Sequence, residues 1–312
     1  MSDRLVSPEL LDVSSRIYVA PDRSHATVGG RRLDAASPRE LRHLLADALY
    51  HELHAGLSLG ENPLPFRLRD ATFEEELGQA VPHQETTLHG RVRAVGDDAH
   101  VIELSGVRVR VPADQIRSDG PVTLGGAVKV ANTSLRPALS PGFFVVEGAQ
   151  ARTSTDVLRV YVHITEWTAA AKIWHTALSY LEAHKVTYRA KVVSSKLLYP
   201  RRDALVVYLH KPDRHAAGGL ADAVGDLPGV GTQTSVFARR LRPGVATAWE
   251  PRDPLSGTDR LSFGQHRASV LAKALVEAAG AAELSAGVLR GFLLEANIDP
   301  VDPSRNADAP DV

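Results

Sequence analysis

The stretch Leu158-Arg159-Val160-Tyr161-Val162-His163-Ile164-Thr165 decides the fold. Side chains on an extended chain alternate between faces, so Val160, Val162 and Ile164 share an apolar side and Arg159, Tyr161 and His163 share the other. Two later runs repeat the arrangement. Tyr188, Ala190 and Val192 oppose Arg189, Lys191 and Val193, while Leu205, Val207 and Leu209 oppose Val206, Tyr208 and His210. Arg202 shares the parity of Tyr208 if the chain is already extended there, and Arg201 falls on the opposite side. This period of two predicts strands. Between and beyond them, Glu166 to His184 and Asp213 to Asp226 read as helices, Gln233 to Phe237 as a strand, and Phe263 to about Ala279 as a final helix. Ser262 caps that helix, with Gln265 three residues on. The alternation predicts a mixed or antiparallel sheet flanked by helices.

Upstream, Ser37-Pro38-Arg39-Glu40 sets a capping hydroxyl, a proline at the first helical position and a glutamate three residues past the cap. The helix it opens carries Leu41, Leu45, Leu49 and Leu53 on one stripe and ends at Gly56. Residues 57–70 read as loop. From 87 to 147 the runs are short and β-like. Val101 to Leu104, a Ser105-Gly106 turn and Val107 to Val111 form a hairpin, turns at Gly125-Gly126 and Ser140-Pro141-Gly142 bracket another strand, and Phe143 to Val146 closes the segment. The polar run Gln150 to Thr155 marks a junction. The expected organisation is α+β: an N-terminal helix and β-rich region over 1–150, a catalytic domain over 151–298, and a disordered tail over 299–312, where four Asp and three Pro leave little apolar mass.

Composition narrows the chemistry. The 312 residues hold ample apolar content for a sizeable core. Lys and Arg total 36 against 37 Asp and Glu, so attraction to an anion has to be local. With no cysteine, disulfides, thiolate metal sites and a cysteine nucleophile are excluded. His51 and His54 lie three apart on a helix, without the spacing of four and intervening glutamate of a zinc protease, and neither metal nor cofactor is expected. Aromatics make up 5% of the chain, which argues against nucleic acid as partner. No signal segment or membrane-spanning run is evident, so the expected location is cytoplasmic.

The outward residues of the three strands are cationic, histidine or tyrosine, without a carboxylate among them. Gathering Arg159, Arg189, Lys191 and Arg202 on one surface costs self-repulsion that a bound phosphate would relieve. His266-Arg267 adds positive charge near a helix N-terminus, disfavoured by about 0.3–1 kcal/mol unless an anion is bound there. Elimination of phosphate across Cα–Cβ needs a base for the α-proton, an acid for the leaving oxygen and donors for the phosphate. Lys191, between Ala190 and Val192, is the candidate base, provided its pKa falls roughly 2 to 3 units from about 10.4. His163 is the candidate acid, raised by an adjacent dianion.

These residues resemble the HopA-type type III effector family, whose members serve as stand-alone lyases in class V lanthipeptide and thioamitide biosynthesis. The resemblance rests on Arg159-Val-Tyr-Val-His163-Ile-Thr, Tyr188-Arg-Ala-Lys191-Val, Arg201-Arg202-Asp203-Ala204 leading into Val206-Val-Tyr208-Leu, and Phe263-Gly-Gln-His266-Arg267, with Leu139-Ser140-Pro141-Gly142-Phe143 upstream. The family is similar in turn to effector phosphothreonine lyases. That similarity implies His163 as acid, Lys191 as base, and Arg202, Tyr208 and Arg267 as phosphate ligands; Arg201, the weaker of its pair, and Arg189 and His266 from the cationic surface are further expected phosphate-binding residues. Tyr161, the third expected catalytic residue, stands where those lyases carry a lysine; its phenol can hydrogen-bond the phosphate or an enolate-like oxygen but brings no charge, and Val-Val-Ser-Ser follows Lys191 where an amide or acidic residue is expected. The implied substrate is a phosphorylated precursor peptide supplied by a separate Ser/Thr kinase, since no kinase or Walker motif occurs here. The competing reading is a phosphopeptide-binding or catalytically inactive module. The N-terminal hairpin offers an edge for a leader peptide or for the kinase.

Overall fold

The computed structural model describes residues 5–57, 70–118, 120–150, 156–252, 261–280 and 284–309. The chain opens with α1 (Pro8–Ser15), the meander β1 (Tyr18–Val19), β2 (His25–Val28) and β3 (Arg31–Asp34), and α2 (Pro38–Leu49). The Ser37 hydroxyl accepts the Glu40 N–H at 3.2 Å, and the Glu40 carboxylate accepts from Ala36 at 2.8 Å, so the cap forms as its residues dictate. α2 widens into a π-type turn, Tyr50–Ala55, and stops at Gly56, whose φ of 70° suits glycine. After α3 (Ala71–Gln79) come β4 (Glu85–Ala94), β5 (Ala99–Leu104), β6 (Val107–Pro112), β7 (Ile116–Arg117) and β8 (Ala127–Thr133), forming an antiparallel sheet in the order β6-β5-β4-β8-β7.

The rest of the chain builds the larger sheet: β9 (Leu135–Ser140), β10 (Phe143–Glu147), β11 (Val157–Ile164), α4 (Trp167–Ala183), β12 (Tyr188–Val193), β13 (Arg201–His210), α5 (Ala216–Gly225), β14 (Arg239–Arg242), β15 (Val245–Trp249), α6 (Phe263–Ala278) and α7 (Ala286–Glu295). Its seven strands lie in the order β14-β15-β11-β13-β12-β10-β9, with antiparallel pairing throughout. This is the expected α+β class, with the antiparallel form of the sheet.

Both faces are covered. Val160, Val162, Ala190, Val192, Leu205 and Val207 pack with Trp174 and Leu178 of α4 and Leu220 of α5. On the opposite face Tyr161, Val206 and Ala248 join Leu45 and Leu49 of α2 and Phe263 and Leu271 of α6. Burying a Leu, Val or Phe side chain contributes about 1.5–3 kcal/mol, so these two layers fix which polar groups of the second face are trapped beneath helices.

Four expectations change. The sheet crosses the proposed boundary at 150, because β10 pairs with β12 and the N-terminal α2 lies over the sheet's second face; the linker itself, 151–155, and the loop 58–69 lie outside the described residues. Gln233 to Phe237 is not a strand. Its groups bond elsewhere: Val236 N–H donates to Leu53 O at 3.0 Å, and the Ser235 hydroxyl accepts from Phe237 at 3.2 Å. The edge strand is β14, whose arginines hid it from a hydrophobic pattern. α7 follows the helix taken as final. The tail is packed through residue 309, with Ile298 bridging Asn306, Trp249 N–H donating to Ser304 O at 2.8 Å, and Ser304 and Asn306 buried. Its low apolar content misled because hydrogen bonds, rather than a core, hold it. Residues 310–312 lie outside the description.

Candidate functional site

The second face of the large sheet carries the expected cluster, arranged differently from strict alternation. Lys191, Val206 and Tyr161 stand in one row across β12, β13 and β11, and Arg189, Tyr208 and Arg159 in the next. Beyond that the register slips: Val162 pairs with Leu205 but Ile164 with Arg201, so two steps along β11 face four along β13. Ala204 and Leu205, consecutive in β13, both pack into the core on the α4 side, so alternation breaks there and Arg201 comes out on the second face, against the parity expected for it. Its guanidinium lies 5.3 Å from the centre of the Phe143 ring, which also receives the Lys191 Nζ at 4.0 Å. Arg201, rather than Arg202, shares the Phe143 ring with Lys191.

The expected absence of carboxylates also fails. Glu250, just past β15, takes Arg159 in two bonds of 2.5 and 2.6 Å; Glu147 of β10 takes Arg189 Nε at 2.8 Å; and Asp203 pairs with Arg201. The three-strand reading missed them because they sit on a flanking strand, beyond a strand end, or behind the bulge. Arg202 reaches the Glu52 carbonyl at 3.0 Å and Gln233 Oε1 at 3.0 Å. Burial lowers its pKa, with Glu52 opposing.

His266 and Arg267 are taken up at the C-terminal segment. Arg267 is buried, with Nε donating to Pro303 O at 2.8 Å, Nη2 to Arg305 O at 3.1 Å and Nη1 lying 2.7 Å from His266 Nδ1. It fastens the C-terminal segment, so the phosphate role implied by resemblance meets a guanidinium already engaged with carbonyls. Lys191 is the contrast. Its Nζ lies over Phe143 and 5.9 Å from the Tyr208 ring, and among the described residues it forms neither an ion pair nor a hydrogen bond. Lys191, Tyr208, Arg189 and Arg202 all remain partly open to solvent.

Beneath Lys191 lies a buried network that the sequence reading did not assemble. Arg201 Nη2 donates to the Tyr50 hydroxyl at 2.5 Å, Asp203 Oδ2 lies 3.6 Å from His54 Nε2, and His54 Nδ1 meets the Ser235 hydroxyl at 2.8 Å. Asp203 is held well below the usual carboxylate range: burial opposes this, but Arg201, then His54, then Lys191 favour its charge. Burial pushes His54 down to about 4 against the pull of Asp203, so it is neutral at pH 7. Burial likewise pushes the Tyr50 and Tyr161 phenols up, with Asp203 adding to Tyr50 and Arg159 opposing at Tyr161. Among the described residues the Tyr161 hydroxyl meets no hydrogen-bond partner of good geometry, although Arg159 is near enough to act on it.

His163 belongs to a second group with Arg202, Gln233 and Gly231. Its Nδ1 is buried and meets no hydrogen-bond partner among the described residues, and its ring lies against Gly231, where a Cβ would overlap it. Burial, then Arg202, lowers the His163 pKa, and the Gln233 backbone opposes. The imidazole of the free protein therefore sits below its ordinary value, opposite to the rise that phosphate would bring.

His54 gives a testable pH dependence. Its folded pKa of about 4 lies below the ordinary 6.5, so the unfolded chain binds the proton more readily. Stability from this group is complete above 6.5 and lost as pH falls toward 4, by about 3 kcal/mol. Asp203 acts separately, losing its contribution only below its ordinary value of 3.8. Urea titrations between pH 7 and 4 are expected to show the loss in the native chain and a flatter profile in His54→Gln.

Tyr50 and His54, four residues apart on the flank of the leucine stripe, were the available signal. His51 turns away to Asp47 at 3.5 Å, and among the described residues no three His, Asp or Glu side chains gather to hold a metal.

An antiparallel sheet with helices on both faces, one face holding a solvent-reaching lysine above a buried ionic network, defines an α+β protein with a built polar site. The model of the HopA1 effector protein family matches residues 134–305, more than half of the chain, and the chain belongs to that family. It is similar to the structure of the effector protein from Pseudomonas syringae pv. tomato strain DC3000, with 15% identity over 88% of this chain and 91% of that one and a TM-score of 0.48. It is also similar to the effector protein from Pseudomonas syringae pv. syringae strain 61, with 18% identity over 84% and 89% and a TM-score of 0.48. No curated protein matches. No helix among the described residues is long and apolar enough to cross a membrane.

Proposed function

We propose that this chain eliminates phosphate from phosphoserine or phosphothreonine in a ribosomally made precursor peptide, giving dehydroalanine or dehydrobutyrine. The carrying observation is Lys191: a partly open amine that among the described residues has no carboxylate partner, sharing the Phe143 ring with Arg201 and lying near the Tyr208 ring. In this reading the Lys191 amine takes the α-proton and the Cα–H pair becomes the Cα–Cβ π bond. The Cβ–O bond breaks, and phosphate leaves carrying a proton from His163. Arg202, Arg201 and Tyr208 hold the phosphate, and the Tyr161 hydroxyl is a hydrogen-bond donor in reserve. Arg189, tied to Glu147, shapes the rim, and His266 and Arg267 support the fold. A separate kinase supplies the phosphopeptide.

The low pKa of His163 in the free chain supports its role as an acid switched on by substrate, because a phosphate dianion beside it favours the imidazolium. Gly231→Ala tests this residue without replacing it. The new methyl displaces the His163 ring, so elimination is expected to fall about 10²-fold while phosphopeptide affinity changes little. Mass spectrometry of a phosphothreonine peptide reads the first and anisotropy the second; unchanged turnover would remove His163 from the mechanism. Tight binding with the peptide mass unaltered would instead favour a binding module.

A further inference from the structure

The small sheet carries its charge on one side. Arg91 stands opposite Glu103, Glu103 opposite Arg108, Val101 opposite Arg110, His89 opposite Lys129, and Lys129 opposite Arg117. Register therefore puts Arg91, Arg108, Arg110, Arg117 and Lys129 on one face, all exposed. Arg93 reaches the same face and is taken up by Glu103 in two bonds of 3.0 Å, with Arg108 at 4.0 Å from that carboxylate. Arg110 and Lys129 form no ion pair among the described residues. The other face holds the core of Val92, Ile102, Val111, Val128 and Val130.

β6 is an edge of this sheet, and its core-side valines are open: Val107 is 63% and Val109 40% exposed. An edge strand presents unpaired backbone groups that a further strand can bond, and proteins blunt such edges unless they use them. Here one side of the edge offers two arginines and the other two uncovered valines. The complement is an extended segment with acidic residues alternating with apolar ones, pairing with β6. Nucleic acid fits less well, because no Phe, Tyr or Trp occurs from 85 to 133 to stack a base.

We propose that the β6 edge and its arginine face dock an acidic, extended segment of the polypeptide substrate, away from the residue that reacts. This rests on the reading above that the substrate is a peptide, and it names how that peptide is held. The probe is a fluorescently labelled peptide alternating Glu and Val, without phosphate, titrated into the full chain beside a Lys-Val peptide and oligo-dT. Saturable binding is expected for Glu-Val alone, weakening with salt, falling about tenfold or more in Arg108→Glu/Arg110→Glu, and protecting amides of β6 from hydrogen exchange. Binding of Lys-Val as tight as Glu-Val, tighter binding of oligo-dT, no binding, or indifference to the double charge reversal overturns the proposal. Turnover of a short phosphopeptide lacking the acidic segment is expected to be the same in this variant. Its absence in both proteins, with Glu-Val still bound, would fault the lyase reading and leave the docking edge standing.

Discussion

Lys191→Ala is expected to lower the rate of dehydroamino acid formation from a phosphothreonine peptide by about 10²–10⁴-fold, with phosphopeptide affinity nearly retained. The residue does not hold the fold together, since its amine lies over the Phe143 ring without an ion pair or hydrogen bond among the described residues. Losing it removes a cation–π contact of about 0.5–1 kcal/mol, too little to unfold a domain. Arg201 and Arg202 remain for the phosphate. Equal losses in turnover and affinity would make Lys191 a phosphate ligand and leave the α-proton without a base.

Asp203→Ala is expected to be the most damaging single change to stability, costing about 3–5 kcal/mol, because it leaves the Arg201 guanidinium charged and buried beside a neutral His54. For a protein of this size that corresponds to a fall in Tm on the order of 10 °C. Turnover is expected to fall with it, since Arg201 shares the Phe143 ring with Lys191. The double change Arg201→Met/Asp203→Leu removes both charges and should recover most of the lost stability, measured by thermal unfolding, without recovering turnover. If Asp203→Ala unfolds at the native temperature, the network is not what braces the floor of the site.

The strands that carry the site were legible because each obeys a period of two over five residues or more, and capping chemistry announced α2 and α6. What alternation cannot see is a bulge. Arg201 was placed on the wrong side because alternation breaks between Asp203 and Leu205, where Ala204 and Leu205 pack into the same core, and only the assembled sheet shows that break. Carboxylates escaped for a related reason: Glu147, Asp203 and Glu250 come from three places in the chain and meet their arginines only across the assembled sheet. The resemblance pointed to Arg267, whereas its surroundings depend on a C-terminal segment whose Asp and Pro content suggested disorder. His54 lay in plain view, yet only the packing of α2 against the sheet shows its ring edge-on to Tyr161 at 5.1 Å and bonded to Ser235.

The claim beneath these expectations is that a carbon–hydrogen bond is broken when phosphate departs. A phosphothreonine peptide deuterated at Cα, compared with its protonated form under single turnover, tests it most directly. A slower reaction for the deuterated peptide, yielding dehydrobutyrine with the deuterium gone, is the predicted result. Equal rates with threonine as product and deuterium retained would mean that water attacks phosphorus, and the assignment of Lys191 and His163 would fall.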